Sequence, residues 1–530
     1  MGMLDDKFIK SLTIQKVTDT FEKLKNSKTD MIPIEGEENI KLHAGSDYIT
    51  HDEFSANIDR HAMIICEKGK SGNYCFEPFK EHRIPKPPYI NVEEAIKAGK
   101  RINNEKKYIR VLSMSTIQDT IFQKLMASVL DKFADDKFRA NIDLHSFAYR
   151  KDKSSKMAVK KIRRFVDNGY YYVLDGDIQG FFDEIDHTLL SERMKSFFGD
   201  GNDLLCKFLY RFIHVKKILP DTMWQYRSKK SKKIIDYAIA KKRCKGIPQG
   251  GVLSGLLANV FLYNFDLYVV NTLMPRYGFK YFRYADDFVL MFKSEDHIDE
   301  VYRLVRDYLL DKDKLVLHEI GDKTKKLDLS PAKNGVLDFL GFEITPGRLR
   351  IKEDNVQKFK NRIIQTLDEI TNEEVIEATH GGKLSWRYIY FRKIVKAINL
   401  RITGLEDLIE QNKDLNGLDN GICPTCQKLI PKRSWIGYFM MVTDVAQLRK
   451  IDESIRMAIR RDYKKRTSKH LRKEVLLNYT TQRAEVLKSV VKIYIKYRKQ
   501  VEKYGSKVCE CERYFDKETG RIRVVEKNTQ

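Results

Sequence analysis

Two adjacent carboxylates, Asp286 and Asp287, interrupt an otherwise apolar and aromatic stretch, YFRYADDFVLMF at residues 281–292. The aromatic and aliphatic residues on either side favour two strands joined by a turn, with the acids at its tip. Burying two like charges side by side costs free energy unless a cation or a proton compensates them. The chain must therefore fold so that this turn meets either solvent or a compensating positive charge.

A further acid stands at the end of a β-rich run, YYYVLDGDI at residues 170–178, where it is Asp177. Because strand ends from separate hairpins can converge, we expect Asp177, Asp286 and Asp287 to meet. Three clustered carboxylates suit two divalent cations about 4 Å apart, and Mg²⁺ is typically bound jointly by carboxylates and a nucleotide phosphate. An isolated pair of aspartates is more often a solvated turn. The strand-end acid and the PQG loop at residues 248–250 favour the metal site over that alternative.

The charge of the chain points to a polyanionic partner. Its 98 basic residues exceed its 74 acidic residues, which gives a formal net charge of +24. Such an excess favours nucleic acid, because neutralising phosphates releases condensed counterions. A basic protein without such a partner, or one that binds a membrane surface, remains open at this point.

The sequence favours a protein that is neither membrane-spanning nor secreted. We find no run of about 18 uninterrupted apolar residues, so we expect no transmembrane helix. The first residues, MGMLDDKFIKSL, are too polar for a secretory signal. The eight cysteines are sparse for 530 residues, which favours a reduced, cytoplasmic setting.

The pattern along the chain changes from mixed to helical. Residues 1–50 are polar and give no clear assignment, whereas an α+β pattern continues to about residue 350. Beyond it, Ile451, Ile455, Ile459 and Tyr463 recur every four residues beside a parallel basic stripe of Arg456, Arg460 and Lys464. A second basic stripe comprises Lys488, Lys492 and Lys496. Either stripe is a solvated helix face or a track for a nucleic-acid backbone.

The motifs, taken together, resemble those of reverse transcriptases, specifically the bacterial lineage of group II intron-encoded enzymes and their antiphage-defence relatives. DIQGFFDEIDH, GIPQGGVLSGLLANVFLYNFD, YADD, DKTKKLDL and VLDFLGF stand in the expected order. NYCFEPFKEHRIPKP, YIRVLSMSTIQDTIFQ and HSFAYRKDKSS precede them, and SWIGYFMMVTDVAQLRKIDESIRMAIRRDYKKR is similar to the thumb of the intron-type enzymes.

The resemblance implies an α+β, right-hand polymerase. We expect an N-terminal extension (1–50), fingers and a palm with an antiparallel sheet and packed helices (51–350), a helical thumb-like region (351–470) and a basic helical C-terminal extension (471–530). Its implied catalytic residues are Asp177, Asp286 and Asp287, and Ile178 joins them among the implied metal ligands. Two Mg²⁺ ions are expected, with Mn²⁺ as a substitute.

The resemblance also implies nucleotide contacts. Phe182 would bar a 2′-hydroxyl or be a core residue, and Gln249 would face the incoming nucleotide or belong to a simple helix-entry loop. Arg110 and Arg150 would clamp the triphosphate or be ordinary surface arginines, and Lys323 would assist pyrophosphate departure. For His187 we expect a structural hydrogen bond.

The chain departs from the family pattern in its cysteines. Cys423 and Cys426 form a CxxC, and Cys509 and Cys511 are a distant second pair. The two pairs either share a structural Zn²⁺ or remain free thiols. We see no cysteine-and-histidine endonuclease signature, and residues 1–50 do not resemble the start of an intron protein.

These departures favour an antiphage-defence enzyme that copies a dedicated noncoding RNA. The expected partners are the RNA template, the cDNA product and dNTPs, with no membrane and with homo-oligomerisation left open. Two alternatives remain: an intron maturase or RNA-binding splicing factor, and an RNA-dependent RNA polymerase.

Overall fold

The computed structural model describes residues 2–29, 45–86, 92–101, 108–227, 234–379, 385–403, 435–469, 487–504, 512–516 and 521–525. The chain divides into two compact units. Unit 1 comprises Met1–Lys28 and Asn39–Ser330, and unit 2 comprises Thr29–Glu38 and Pro331–Gln530. The four-part division proposed from the sequence stays a prediction. Within its C-terminal extension (471–530), expected to be helical, Val490–Tyr504 is a helix, whereas Glu512–Asp516 and Arg521–Val525 are paired strands.

An antiparallel sheet at the centre of unit 1 carries the predicted acidic motifs. Its strand order is β6-β7-β3-β8. The strands are β3 (Tyr172–Asp177), β6 (Lys280–Tyr284), β7 (Asp287–Phe292) and β8 (Lys325–Asp328). Every residue of β7 after Asp287 is buried, which agrees with the unbroken apolar run in the sequence. The predicted hairpin around YADD is therefore confirmed.

A second four-stranded sheet in unit 1 has the order β2-β1-β4-β5. Its strands are β1 (Phe79–Pro85), β2 (Ile109–Met114), β4 (Lys217–Arg227) and β5 (Ile234–Lys241). Strand β2 lies within KKYIRVLSM (residues 106–114), whose aromatic and aliphatic composition predicts a strand. Strands β4 and β5 pair antiparallel, with Arg227 opposite Ile234.

Helices of unit 1 pack around these sheets. They are α1 (Met3–Ser11), α2 (Ile14–Thr29), α3 (His51–Ala56), α4 (Ile58–Lys70), α5 (Val92–Arg101), α6 (Ile117–Ile142), α7 (Ser155–Asp167), α8 (Phe181–Glu184), α9 (His187–Phe198), α10 (Asp203–Ile213), α11 (Ser254–Tyr268), α12 (Met274–Tyr277) and α13 (Ile298–Asp313). A π-helical turn, Val269–Leu273, joins α11 to α12. Helix α6 has Ile117, Ile121, Leu125 and Leu130 all buried, as their helical spacing in the sequence predicts.

Residues near the N-terminus, which the sequence left unassigned, form helices that belong to the core. Leu4 and Phe8 of α1 are buried in the same apolar cluster as Phe122 and Phe208. The Asp5 carboxylate accepts hydrogen bonds from the backbone N–H groups of Leu204 and Leu205, each 2.9 Å, at the start of α10. These N–H groups lack partners within their own helix, so α1 supplies a cap from a distant part of the chain.

Helix α11 and its continuation are unusually apolar. Among the described residues, Ser254–Tyr277 is the one helical stretch whose length and composition would allow it to cross a membrane. Its residues Leu257, Phe261 and Phe265 are fully buried within unit 1. Core burial thus accounts for its composition.

Unit 2 combines a small sheet with long helices. A three-stranded sheet has the order β11-β10-β9, and β12 pairs with β13. The strands are β9 (Leu337–Phe339), β10 (Phe342–Thr345), β11 (Arg348–Ile351), β12 (Glu512–Asp516) and β13 (Arg521–Val525). The helices are α14 (Glu353–Glu369), α15 (Asn372–Glu377), α16 (Trp386–Thr403), α17 (Trp435–Tyr438), α18 (Val445–Thr467) and α19 (Val490–Tyr504).

The predicted apolar face of α18 is confirmed, because Ile451, Ile455, Ile459 and Tyr463 are all buried. The apolar residues of KLVLHEI (314–320) favour a strand, but this prediction is wrong. Leu317 forms an isolated bridge with Ile178, and Ile320 forms one with Thr324.

Candidate active site

The register of two neighbouring strands brings the predicted acids together. Strand β3 pairs antiparallel with β7, and Asp177 lies directly opposite Asp287. Directly opposed residues in such a pair have Cβ atoms about 4.5–5.5 Å apart. Asp286 precedes Asp287 at the tip of the β6–β7 hairpin, so two distant segments of the chain place three carboxylates at one end of the sheet.

The hairpin tip is a tight loop with an unusual backbone. Tyr284 pairs with Asp287, which leaves only Ala285 and Asp286 in the loop. Ala285 has φ of 61°, a left-handed value that favours glycine at the first position of such loops. The loop is therefore strained, and it owes its shape to the groups that surround it.

A glycine in the first acidic motif lets the two strands approach closely. A Cβ on Gly176 would lie 2.4 Å from the ring of Phe288, its partner in β7. Any side chain at this position would push the Phe288 ring away and disturb the register next to Asp177. Packing against Phe288 thus explains why glycine stands between Asp175 and Asp177.

The carboxylates repel one another. Burial raises the pKa of Asp287 to about 7, and the negative charges of Asp286 and Asp177 act in the same direction. Burial also raises the pKa of Asp286, and Asp177 adds to that effect. The Lys323 ammonium lies 2.9 Å from the Asp177 carboxylate, so a positive charge already stands in this cluster.

These residues fit a divalent cation in ligand type and in charge. They offer hard oxygen donors, and Lys323 occupies a place where a positive charge is favoured. Ile178 can contribute only its backbone carbonyl. The two hydrogen bonds of its bridge to Leu317 use the Gln179 N–H and the Asp177 carbonyl, and this pair of bonds does not involve the Ile178 carbonyl.

The described side chains do not by themselves supply a complete set of ligands for a metal ion. Within the described part of the chain, no three His, Cys, Asp or Glu side chains are close enough together to hold an ion. A cation held here would need further ligands, and Mg²⁺ ordinarily takes several of its ligands from waters and phosphates.

Basic side chains converge beside the acids. Lys323 and Arg110 were predicted from the sequence, and Lys86 joins them. Partial burial lowers the pKa of Lys86, and the charges of Lys323 and Arg110 lower it further. Lys86 lies in the motif HRIPKP, and no sequence pattern distinguishes it from the many other basic residues that do not reach the acids.

Phe182 lies beside Tyr149, a residue that no sequence pattern singled out. The rings of Phe182 and Tyr149 are 6.2 Å apart in an edge-to-face arrangement. Tyr149 has φ of 56°. Burial raises the pKa of the Tyr149 hydroxyl, and the negative charge of Asp286 raises it further. A Cβ on Gly255 would lie 2.4 Å from the Tyr149 ring, so this glycine leaves room for the ring.

The loop that carries Gln249 is fixed at both ends. The Gln249 carbonyl accepts a hydrogen bond of 2.7 Å from the Ser113 N–H of β2, and the Ile247 N–H donates to the Phe182 carbonyl at 2.8 Å. His187 Nε2 lies 2.7 Å from the Gly246 carbonyl. The structural hydrogen bond expected for His187 is confirmed, and it holds this loop.

The role expected for Arg150 needs correction. Its side chain is buried, and its guanidinium donates to the carboxylates of Asp135 and Asp143 and to the Ser146 carbonyl. These partners occupy the guanidinium, so Arg150 stabilises the segment before α7 and does not clamp a triphosphate.

The four cysteines considered for zinc, Cys423, Cys426, Cys509 and Cys511, lie outside the described residues. The described cysteines Cys66, Cys75, Cys206 and Cys244 are free thiols. The zinc site stays a prediction.

Comparison with known proteins gives a match over the region that contains this site. Residues 85–344 match the family model described as "Reverse transcriptase (RNA-dependent DNA polymerase)". "Group II intron-encoded protein LtrA" of Lactococcus lactis subsp. cremoris is 28% identical over 225 residues, covering 42% of this chain and 30% of LtrA. "Protein YkfC" of Escherichia coli (strain K12) is 24% identical over 345 residues, covering 59% of this chain and 78% of YkfC.

The match thus spans less than a third of LtrA. Among solved structures, apo telomerase from Candida tropicalis, truncated from the C-terminal domain, aligns with a TM-score of 0.36 and 14% identity. That alignment covers 56% of this chain and 59% of the telomerase chain, and it is a distant likeness that adds nothing to the assignment.

The raised pKa of Asp287 predicts a pH-dependent effect of Asp287→Asn on metal-free protein. Because the native carboxyl holds its proton more tightly than the unfolded chain, its contribution to stability is full below about pH 4 and is lost as pH rises through about 7. One side of Asp287 faces solvent, which lessens the effect. At pH 8 we expect the variant to be more stable by about 1 kcal/mol, a Tm increase of roughly 2–4 °C.

Thermal unfolding in EDTA between pH 4 and 8 measures this difference. The exposed Asp200 serves as control, and Asp200→Asn should show no comparable rise in Tm with pH. A gain for Asp287→Asn that is the same at every pH would contradict the electrostatic explanation.

Proposed function

We propose that this protein, whose residues 85–344 form a reverse transcriptase domain homologous to group II intron-encoded proteins, is an RNA-directed DNA polymerase. The observation that carries the proposal is the direct pairing of Asp177 with Asp287, with Asp286 at the adjoining hairpin tip. The antiparallel sheet and packed helices of unit 1 are consistent with the right-hand polymerase fold that such a domain implies.

In this proposal the carboxylates of Asp177, Asp286 and Asp287, with the Ile178 carbonyl, hold two Mg²⁺ ions. Such ions would lower the pKa of an attacking 3′-hydroxyl and neutralise the leaving pyrophosphate. Lys323, Arg110 and Lys86 offset the charge of the incoming triphosphate. Nucleotidyl transfer of this kind depends on positioning and charge neutralisation, so no nucleophilic side chain is required.

The aromatic rings next to the acids would select the sugar. Phe182 and Tyr149 stand edge to face close to Asp286, where the ribose of an incoming nucleotide would lie. A ring at this place leaves no room for a 2′-hydroxyl. The loop at residues 246–251, held by β2 and His187, would support the base.

The basic character of the chain supports a nucleic-acid template. The formal net charge is +24, and on α18 the residues Arg456, Arg460 and Lys464 form a row beside the buried isoleucines, about 100° further around the helix. Such a stripe can contact phosphates. We propose that the template is a dedicated noncoding RNA copied in the cytoplasm during antiphage defence, a role that sequencing of the copurifying RNA and DNA would test.

One alternative is a group II intron maturase, a protein that serves the cell by binding intron RNA and promoting its splicing. Its support is the similarity to LtrA, an intron-encoded protein. The alternative of an RNA-dependent RNA polymerase is disfavoured by the ring of Phe182.

Replacing the hairpin acids should abolish synthesis without abolishing RNA binding. In Asp286→Asn/Asp287→Asn, we expect incorporation of dNTPs on a primed RNA template to fall by at least about 10³-fold, since the site loses most of its negative charge. The apparent Kd for RNA should change less than about threefold.

A matched control lies at the other end of β7, where Glu295 and Asp296 are an exposed acidic pair. Glu295→Gln/Asp296→Asn should retain normal incorporation. Activity that survives the change at 286 and 287 would refute the catalytic assignment. Splicing of a cognate intron by the inactive variant would support the maturase alternative.

Removing the aromatic ring of Phe182 should weaken the discrimination between dNTPs and rNTPs. Phe182→Ala should raise rNTP relative to dNTP incorporation by about 10-fold or more, because a 2′-hydroxyl then fits. Competition between the two nucleotide classes measures this ratio. Phe182→Tyr, which keeps the ring, should retain discrimination; an unchanged ratio in Phe182→Ala would count against a steric gate.

A further inference from the structure

We propose that Arg283 is a positioning residue that fixes the hairpin tip carrying Asp286 and Asp287. The inference rests on the proposed function, since it assumes that these carboxylates act in nucleotidyl transfer. It concerns a fully buried guanidinium in the strand just before YADD, where the sequence alone suggests an ordinary strand residue. Arg283 touches no reacting atom in this account and acts through the loop that it holds.

The hydrogen bonds of Arg283 reach in several directions. Its guanidinium donates to both carboxylate oxygens of Asp266 on α11, with 2.8 Å for the Nε bond. Nη1 donates to the Ala285 carbonyl at 2.9 Å and to Asn259 Oδ1 at 3.2 Å. Nη2 also donates to Ser146 Oγ at 3.1 Å. Arg283 and Asp266 are both fully buried.

The bond to the Ala285 carbonyl falls on the strained residue of the loop. Ala285 takes a left-handed φ of 61°, a conformation that costs a non-glycine residue free energy. A fixed donor aimed at its carbonyl favours this conformation over alternatives in which the carbonyl turns away. The next two residues are Asp286 and Asp287, so the orientation of this peptide sets the direction of both carboxylates.

The same residue joins three parts of the site. Its own N–H donates to the His145 carbonyl at 2.7 Å, and the Phe147 N–H donates to the Arg283 carbonyl at 3.0 Å. Asn259 of α11, besides accepting from Arg283, donates to the Ala148 carbonyl at 2.8 Å. The segment that leads to Tyr149, the helix that follows the Gln249 loop, and the acidic hairpin are therefore held by one polar network.

Only arginine suits this place. A lysine ammonium is a single charge and cannot form the planar, two-point pair with Asp266 while also reaching the Ala285 carbonyl. An apolar side chain could fill the volume, and replacing a whole buried ion pair by less polar groups is often neutral for stability. Stability and positioning can therefore be separated experimentally.

The test variant is Arg283→Met/Asp266→Asn, which removes both charges together and keeps an acceptor for the Tyr281 hydroxyl that now donates to Asp266. A matched control exists in the same unit. Arg193 and Asp313 form another buried ion pair, and Arg193 donates to the Phe261 and Lys312 carbonyls away from the hairpin. The control variant is Arg193→Met/Asp313→Asn.

Three measurements are made on the full-length wild type and both variants: Tm, hydrogen–deuterium exchange of residues 284–288, and kcat and KM for dNTP at several Mg²⁺ concentrations. We expect Arg283→Met/Asp266→Asn to exchange at least about 10-fold faster at the hairpin tip. We also expect its kcat to fall by about 100-fold, the effect of misplacing reacting groups by about 1 Å, and its half-saturating Mg²⁺ concentration to rise. The control variant should resemble wild type in all of these at a similar Tm.

Unchanged exchange at residues 284–288, or faster exchange with unchanged kcat and Mg²⁺ dependence, would overturn the inference. Equal losses in both variants would also overturn it, because they would indicate a general effect of disturbing the core. A wild-type protein without polymerase activity would refute the proposed function instead, while the exchange data would still decide whether Arg283 holds the loop.

Discussion

The register between β3 and β7 is the constraint on which the rest of the site depends. It places Asp177 opposite Asp287, and a shift by one residue would move one acid to the other face of the sheet. Gly176 maintains this register by leaving space for the Phe288 ring. The apolar run of β7, buried on both sides, makes a shifted pairing costly. The carboxylates are thus held by packing around them rather than by bonds to one another.

The second constraint is electrostatic. The charge of Asp177 adds to burial in raising the pKa of Asp286 and of Asp287, and positive side chains lie both at the surface of this site and beneath it. Lys323, with Arg110 and Lys86 nearby, offsets the acids at the surface, where a substrate and its ions can replace it. Below them, the fully buried charges of Arg283 and Asp266 neutralise each other, and Arg283 also donates a hydrogen bond to the hairpin tip at Ala285. The surface charges are placed to offset charge that binds at the site, whereas the buried pair fixes the position of the loop.

The sequence predicted what depends on local pattern and failed where distant parts of the chain meet. The hairpin at 281–292 and the helical face of α18 follow from periodicity, and the meeting of Asp177 with the hairpin follows from strand ends. The role expected for Arg150 was wrong for a different reason: the pattern does not show that the turn after α6 brings this guanidinium against Asp135 of that helix and Asp143. Likewise, helix α1 looks unremarkable until its Asp5 caps a helix about 200 residues later.

A structure of the protein with primed RNA, an unreactive dNTP analogue and Mn²⁺ would test the central claim most directly. Anomalous scattering locates the manganese ions without assumptions about their ligands. We predict two ions about 4 Å apart, both within ligand distance of Asp177 and the hairpin acids. Ions bound elsewhere, or an Asp177 carboxylate more than a nanometre from the 286–287 loop in that complex, would contradict the account.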